Sequence, residues 1–564
     1  MTEHKKWRLR VQYEEVQIER LESFTPLEAK LLLARGLQDP EIASSFIDTD
    51  TFTLENPFDI LGMDIAVDRI IKALDSNQRI VVYGDYDADG VTATALLSTG
   101  LKDLGADVST YIPDRFKEGY GLNDKAVEKI ASGGSSLLIT VDCGIRAVDE
   151  VGRAVEMGMD VIITDHHKVG DVLPPAVVIL DPHQDGDLSK NKNLAGVGMA
   201  FKLLHGVMTR KGRGVPVEFL DYVAIGSVAD MVNLTGENRF LVREGLKRIN
   251  LGERPGMNGL IDICGYRFGE IDAMKIAFGL GPRINAAGRI ASANIALDLL
   301  ISKDDDLARQ RAIELDGLNK TRQELTAKTQ KQVRDEIDKD NLPPIILAAA
   351  SDYHEGILGL TASRIVDEFY RPTIIGRRGD EYTRASARSI PEFSIIAALQ
   401  RCSHNLVRFG GHDAAAGFTV RNDALEDFHH EIVQIAQEEL AGVDLVPSLS
   451  FDAYVSFSDL DWDLLHFQDK LEPFGSGNPA PSYCTKNVRI QNRRRVGADG
   501  AHLKITLVQD NRFFDAIAFR LGDRYDSLED NVDVLFRLER NVFRGSESLQ
   551  LNVLDVRNEG SMAS

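Results

Sequence analysis

The chain runs to 564 residues, with 65 Lys and Arg against 87 Asp and Glu and a formal net charge of −22. That length holds several domains, and 43% hydrophobic with 27% charged residues is ordinary for a soluble globular protein. No stretch approaches a transmembrane span, the opening MTEHKKWRLRVQYEE lacks the apolar core of a signal peptide, and four scattered cysteines (Cys143, Cys264, Cys402, Cys484) offer neither a zinc pattern nor a disulfide framework. The expectation is a reducing cytoplasmic setting with no membrane partner.

Residues 1–54 form an N-terminal segment. From about Asp64 to Gly265 strand and helix patterns alternate, as in Ile80–Gly84, Val91–Leu104, Ala106–Ile112, Lys125–Ser132 and Leu137–Val141. That alternation predicts a doubly wound, parallel-sheet α/β domain, bounded here at residues 55–270. Residues 271–340 read as helical. They close with Asp304–Lys339, rich in Glu, Lys, Gln, Arg and Leu and free of proline, which predicts a long solvent-exposed connecting helix. Leu342–Pro344 ends it. Ile345–Ala350 opens a second, smaller α/β domain over residues 341–446. From Ser448 onward short strands dominate: Asn487–Gln491, His502–Gln509, Arg512–Phe519, Asp533–Leu538 and Ser548–Val556. They predict a small β-barrel over residues 447–564.

The chemistry concentrates at the ends of apolar runs. Ile80–Leu97 reads IVVYGDYDADGVTATALL, so a β-branched run ends in three alternating carboxylates, Asp85, Asp87 and Asp89. Like charges at a strand mouth repel and lose solvation together, a conflict that a multivalent cation removes. The ions expected are oxygen-loving, such as Mg²⁺ or Mn²⁺. A calcium EF-hand would need Glu at the twelfth loop position, where this chain has Leu96. Leu137–Asp142 (LLITVD) repeats the pattern with Asp142, and Val161–His167 (VIITDHH) with Asp165, His166 and His167. Tyr222–Asp230 (YVAIGSVAD) adds Asp230. In open parallel sheets the carboxyl ends of the strands line one crevice. Four acid- or His-tipped strand ends there would supply ligands for two metals.

GDYDADG, VDCG, TDHH and SVADMV, in that order, resemble the motifs of the DHH phosphoesterase superfamily. GPRINAAGR (Gly281–Arg289), SARSI (Ser386–Ile390), GGHDAAAG (Gly410–Gly417) and PFGSGNPAP (Pro473–Pro481) resemble its RecJ branch, single-strand-specific 5′→3′ DNA exonucleases. The likeness runs from about residue 55 to the C-terminus. It implies a DHH catalytic domain, a DHH-associated α/β domain and a C-terminal OB-like barrel. It also implies hydrolysis of single-stranded DNA to 5′-mononucleotides in repair and recombination. A single-strand-binding protein and a helicase are the implied partners.

Phosphodiester hydrolysis needs a nucleophilic hydroxide and charge neutralisation, which two cations supply, and the Asp142 carboxylate suits the role of bridging them. The resemblance implies Asp85 and Asp87 with Asp142 on one ion, and Asp89, His166 and Asp230 with Asp142 on the other. Some superfamily members carry His where this chain has Tyr83, a poor ligand, which shifts weight onto Asp85. Imidazole favours Mn²⁺ over Mg²⁺. If side chains alternate, His167 cannot ligate beside His166 and faces the scissile phosphate instead, with Asp165 orienting an imidazole. A 5′-phosphate pocket calls for guanidinium forks. Its candidates are Arg289, Ser386 and Arg388, with Arg115 in support. Tyr120 suits stacking on a base and equally a place in the core. His412 and its glycines suit a ligand contact or a tight helix–strand junction.

The net charge of −22 argues against nucleic-acid binding as a whole-molecule property, although metal ligands account for part of it and a local groove suffices. Arg377–Arg378, Arg384–Arg388 and Arg493–Arg495 are the candidate basic patches. Two other readings exist: a phosphodiesterase of oligoribonucleotides or cyclic dinucleotides, and a non-catalytic replication scaffold. The barrel region argues against the first and the retained carboxylates against the second.

Overall fold

The computed structural model describes residues 5–48 and 52–560. They fall into two compact units. One comprises residues 55–232 and 241–446; the other joins residues 4–54, 233–240 and 447–564. Among the described residues no helix is long and apolar enough to cross a membrane.

The chain opens with a short strand, β1 (Lys6–Leu9), which belongs to the second unit. The first unit begins its sheet with β2 (Ile80–Gly84), β3 (Val108–Tyr111), β4 (Leu137–Val141), β5 (Asp160–Thr164) and β6 (Val178–Leu180). All pairings are parallel, in the order β3-β2-β4-β5-β6. β2 and β4 are buried throughout. A parallel strand covered on both faces reads as an unbroken apolar run, so the expected bounds of these two strands match those observed. The chain leaves β2 toward β3 and returns to its other side for β4. The carboxyl ends of β2 and β4 therefore flank a topological switch point, where open α/β sheets bind ligands.

The Ala88–Asp103 helix follows β2 and is buried along nearly its whole length, packed by the helices Gly196–Arg210 and Leu220–Ala229. The last of these corrects the sequence reading. Tyr222–Ala229 is helix, not strand, and Asp230 caps its carboxyl end. The helix is buried on every side, so its sequence is apolar all round and shows no helical period.

The Asp305–Glu336 helix starts at Asp304, whose side chain accepts from Leu307 N. At 32 residues it is about 48 Å long. It is not the fully solvated connector expected, because Ala308, Ala312, Leu315, Asn319, Thr326 and Val333 are buried. Along that stripe it packs on the Gly281–Ile290 and Leu358–Phe369 helices. Beyond it lie β7 (Ile346–Ala350), β8 (Thr373–Arg378), β9 (Tyr382–Arg388), β10 (Leu406–His412) and β11 (Ala415–Arg421), ordered β10-β11-β9-β8-β7. Only β7–β8 is parallel. Ile374, Ala387, Phe418, Phe428 and Ile432 fill the core of this domain.

The second unit contains β12 (Ser448–Phe451), which pairs with β1, and a barrel. The barrel is built of β13 (Ala453–Tyr454), β14 (Tyr483–Val496), β15 (His502–Gln509), β16 (Arg512–Ala518), β17 (Asn531–Phe543) and β18 (Ser546–Asn558). β14 pairs with both β15 and β17, and β16 joins β18 in parallel, so five strands close on themselves in OB-fold order. Register shifts in the long β14 let it bend around the barrel. The N-terminal segment is not a separate body. Leu21, Leu31 and Leu32 are buried in one apolar cluster with Tyr483, Leu503, Phe514, Phe536 and Leu551. Each such leucine contributes about 1.5–3 kcal/mol by leaving water.

Candidate active site

β2 ends at Gly84, and the next three residues, Asp85–Asp87, turn sharply into a helix. Asp87 caps that helix, accepting from Asp89 N at 2.9 Å and Gly90 N at 3.1 Å. Gly90 is required: a Cβ there would stand 2.6 Å from the backbone N and O of Asp85. The same turn is anchored from outside, where Ala88 N donates to Asn285 Oδ1 at 2.9 Å. Asp85 is buried, and its Oδ1 has no hydrogen-bond partner. Burial and then Asp87 push its carboxyl well above the usual range.

Asp89 is almost fully enclosed. Gly196 N donates to its Oδ2 at 2.6 Å and Val197 N to its Oδ1 at 2.9 Å, so the amino end of the Gly196–Arg210 helix faces this carboxylate. Burial and the neighbouring Asp230 still raise it to about 7. Asp230 is likewise raised to about 7, by burial and then by Asp87. Past β4, Asp142 takes a left-handed backbone, φ +60, which turns its side chain into the crevice. A Cβ at residue 196 would stand 2.4 Å from Asp142 Cβ, so only glycine lets the helix approach. Burial and then Asp89 hold the Asp142 carboxyl well above its ordinary value.

His166 Nε2 lies 3.0 Å from Asp142 Oδ1, 3.8 Å from Asp89 Oδ2 and 3.9 Å from Asp230 Oδ2. Burial lowers the pKa of its imidazole, which favours the neutral form that binds metals. Ligand atoms of Asp85, Asp87 and Asp142 lie within 4.8 Å of one another, and so do those of Asp89, His166 and Asp230. Desolvated carboxylates, one with an orphaned oxygen, and a neutral imidazole fit two divalent cations. The resemblance implied these groupings with Asp142 shared by both, and Asp142 Oδ1 stands 3.0 Å from His166 Nε2 of the second group.

The expectation for His167 rested on strand alternation. β5 stops at Thr164, so alternation does not apply, and the His166 and His167 rings lie only 4.6 Å apart. His167 also stands within 4.8 Å of Asp142 and His166. Its Nδ1 is 2.7 Å from Asp165 Oδ1, while Asp165 accepts from Ile145 N at 2.9 Å and His166 N at 2.8 Å. Burial draws the His167 pKa down, but Asp165 more than offsets it and leaves the ring at about 9. Asp165 itself, despite its burial, is held below the carboxylate range by His167 and the Ile145 N–H.

Tyr120 is 54% exposed, which removes the core alternative, and its ring meets His167 edge-on. The loop that carries it is tied down by Tyr83, fully buried, whose hydroxyl donates to Gly121 O at 2.8 Å. Tyr83 is thus a core residue that positions Tyr120. Tyr120, His167, Arg146, Lys168 and His412 line a cavity of about 240 Å³. GGHDAAAG is a β-hairpin between β10 and β11, not a helix–strand junction.

Arginines gather opposite the carboxylates. The Arg115 guanidinium lies 4.9 Å from the Tyr86 ring centre. Arg289 Nη1 donates to Gly356 O, and burial, then Arg115, lowers its pKa to about 10. Arg388 Nη1 donates to Ser386 Oγ at 3.2 Å. A Cβ at Gly359 would stand 2.8 Å from Arg388 Nη2 and 3.0 Å from Ser386 Oγ. The other basic patches are partly spent: Arg377 and Arg384 both pair with Glu355, and Arg495 donates to Gly522 O. The sequence reading overlooked Asn285. A polar residue among the small apolar ones of GPRINAAGR, four positions before Arg289 and so on the same helix face, was the available signal.

The model of the DHH family N-terminal domain matches residues 79–227, that of the DHHA1 domain residues 343–438, and that of the RecJ OB domain residues 451–555. The "Single-stranded-DNA-specific exonuclease RecJ" of Haemophilus influenzae is 33% identical, across 94% of this chain and 95% of the relative. The chain belongs to the RecJ family. The RecJ of Bacillus subtilis with the same description is 38% identical, over 94% of this chain and 68% of the relative. A crystal structure of RecJ from Thermus thermophilus in complex with Mn²⁺ matches with TM-score 0.86 and 31% identity. It covers all of this chain and 82% of the other.

Proposed function

We infer that this chain is a metal-dependent exonuclease of single-stranded DNA, running 5′→3′ and releasing 5′-mononucleotides, with Mn²⁺ preferred and Mg²⁺ accepted. The observation that carries the reading is the pair of adjacent candidate ligand sets, linked where Asp142 Oδ1 lies 3.0 Å from His166 Nε2, at the switch point of the parallel sheet. Its RecJ relatives and their Mn²⁺- and Mg²⁺-bound structures support it. When bound, the two cations neutralise the carboxylates and supply the water-activating, charge-stabilising chemistry of phosphodiester hydrolysis. Asp85 and Asp87 would hold one ion, Asp89, His166 and Asp230 the other, and Asp142 both. Asp165 fixes the His167 ring, so that Nε2 can donate to a non-bridging oxygen or to the leaving group. Arg289, Ser386 and Arg388, aided by Arg115, would take the terminal phosphate. Tyr120 and His412 would contact the terminal nucleotide.

The domain boundaries proposed are 55–270 for the DHH domain, 271–340 for the helical region, 341–446 for the DHH-associated domain and 447–564 for the barrel, completed by the N-terminal residues. A role in DNA repair and recombination, partnership with a single-strand-binding protein and a helicase, and a cytoplasmic site complete the reading. The test is incubation with 5′- and 3′-labelled single-stranded DNA, duplex DNA and RNA, with Mn²⁺ or with chelator. Mononucleotides released from the 5′ end of single strands, and only with metal, are expected. Release from the 3′ end, or activity in chelator, would overturn it.

A further inference from the structure

Two exposed apolar side chains on elements next to the carboxylate cluster, Met231 and Phe278, take no part in the hydrolysis. Met231 directly follows Asp230, takes a left-handed backbone at φ +61 and is 73% exposed. Strain of that kind persists only where the surroundings impose it, and it clusters at functional sites. Phe278 stands in the π-helical turn Ile276–Leu280 and is 74% exposed. Single π-turns recur where a helix must redirect a side chain for function. The two residues sit on adjoining elements. The Leu220–Ala229 helix packs on this π-turn and on the Gly281–Ile290 helix, and Ala229 Cβ lies 3.4 Å from where a Cβ at Gly281 would stand.

Neither side chain fills a core, and Met274, one turn before Phe278, is half-exposed as well. The basic side chains nearest in sequence are engaged elsewhere: Lys275 pairs with Asp272 at 3.1 Å and Arg283 with Asp316 at 2.8 Å. The surface therefore suits a flat apolar face rather than a phosphate. It begins one residue after Asp230, a member of the carboxylate cluster.

Resting on the exonuclease reading, we propose that Met231 and Phe278 form a platform for the base of the nucleotide immediately 3′ of the scissile phosphate. Every base offers a π-face to an aromatic ring, and a thioether adds a polarisable contact. A platform without polar groups accepts any base, so the strand can advance by one nucleotide per cycle whatever its sequence. Its grip would fall on the nucleotide that remains on the strand, not on the one released.

The test measures release of the first nucleotide in single turnovers with Mn²⁺. The substrates are 5′-phosphorylated single strands, intact or carrying one tetrahydrofuran abasic residue at the second position. Wild type should release the first nucleotide roughly tenfold more slowly from the abasic strand. Phe278→Ala should slow the intact strand by a similar factor and lose the distinction between strands. Met231→Ala should do so in part, and Phe278→Tyr should restore the wild-type ratio. Melting temperatures should stay unchanged, because both side chains are exposed. If Phe278→Ala and Met231→Ala slow both strands equally, or retain the full wild-type ratio, the platform is refuted while the exonuclease reading stands. If wild type releases no mononucleotide even from the intact strand, the exonuclease reading falls and the platform with it.

Discussion

In the parallel sheet, Asp85, Asp142 and His166 stand just past the ends of β2, β4 and β5, and the strands themselves contribute only buried bulk. In the mixed sheet, Ser386 and Arg388 lie inside β9, on one face, while Ala385 and Ala387 point to the core. Burial explains the contrast. A strand covered on both sides has no solvent-facing position along its length, so its ligand-facing chemistry collects at its carboxyl end. A strand with one wet face can place functional side chains at every second residue. The two sites also store cost differently. The carboxylates are desolvated, with their pKa values pushed up, and Asp142 is held in a strained backbone. The guanidiniums of Arg289 and Arg388 are desolvated with theirs pushed down. Each cluster gathers desolvated like charge, which opposite charge would relieve.

The largest break in this contrast should come from Asp142→Ala. It removes the carboxylate nearest to both ligand sets, and turnover with Mn²⁺ should fall by more than about a thousandfold, while strand binding survives in part. Near-normal turnover from a folded variant would dissolve the shared-ligand assignment. Next in size, Arg388→Ala should cost roughly tenfold to a hundredfold on a 5′-phosphorylated strand, the worth of one charge-assisted hydrogen bond. The preference for 5′-phosphate over 5′-hydroxyl should collapse in the same protein, measured as a four-way cycle of enzyme and substrate. Equal slowing on both substrates would make Arg388 a general backbone contact.

A third change probes the barrel. Leu32→Ala should destabilise the barrel unit by about 2–5 kcal/mol in thermal or urea unfolding. It should weaken binding to long strands while leaving cleavage at saturating DNA intact. An unchanged unfolding midpoint would mean that the N-terminal helices are dispensable to the barrel. Deleting the barrel alone is a poorer test, because it strips the cover from Leu21, Leu31 and Leu32. The smallest effect should come from Tyr83→Phe. Loss of its bond to Gly121 O should cost about 1 kcal/mol of stability and slow turnover only a few-fold, with metal affinity unmoved, by titration calorimetry with Mn²⁺. A large loss of metal affinity would place Tyr83 in the cluster after all.

Much of this was legible in the amino-acid order. β2 and β4 announced themselves as short apolar runs ending in acid, and the parallel-sheet rule then brought Asp85, Asp142 and His166 together. Asp230 was found for the wrong structural reason, because a helix buried all round shows no period to separate it from a strand. The His167 geometry was illegible because the strand ends three residues earlier. The partner of the N-terminal helices was illegible because it lies some four hundred positions away in the chain.

That last separation has a consequence for synthesis. The barrel strands after Ser448 leave the ribosome 400 residues behind Asp48, on the order of 20–80 s later. Throughout that interval Leu21, Leu31 and Leu32 have no barrel to enter, while the catalytic unit encoded between them is still being made. The nascent chain therefore carries an uncovered leucine-rich surface at its front end for much of its production, and holding chaperones have that window in which to act.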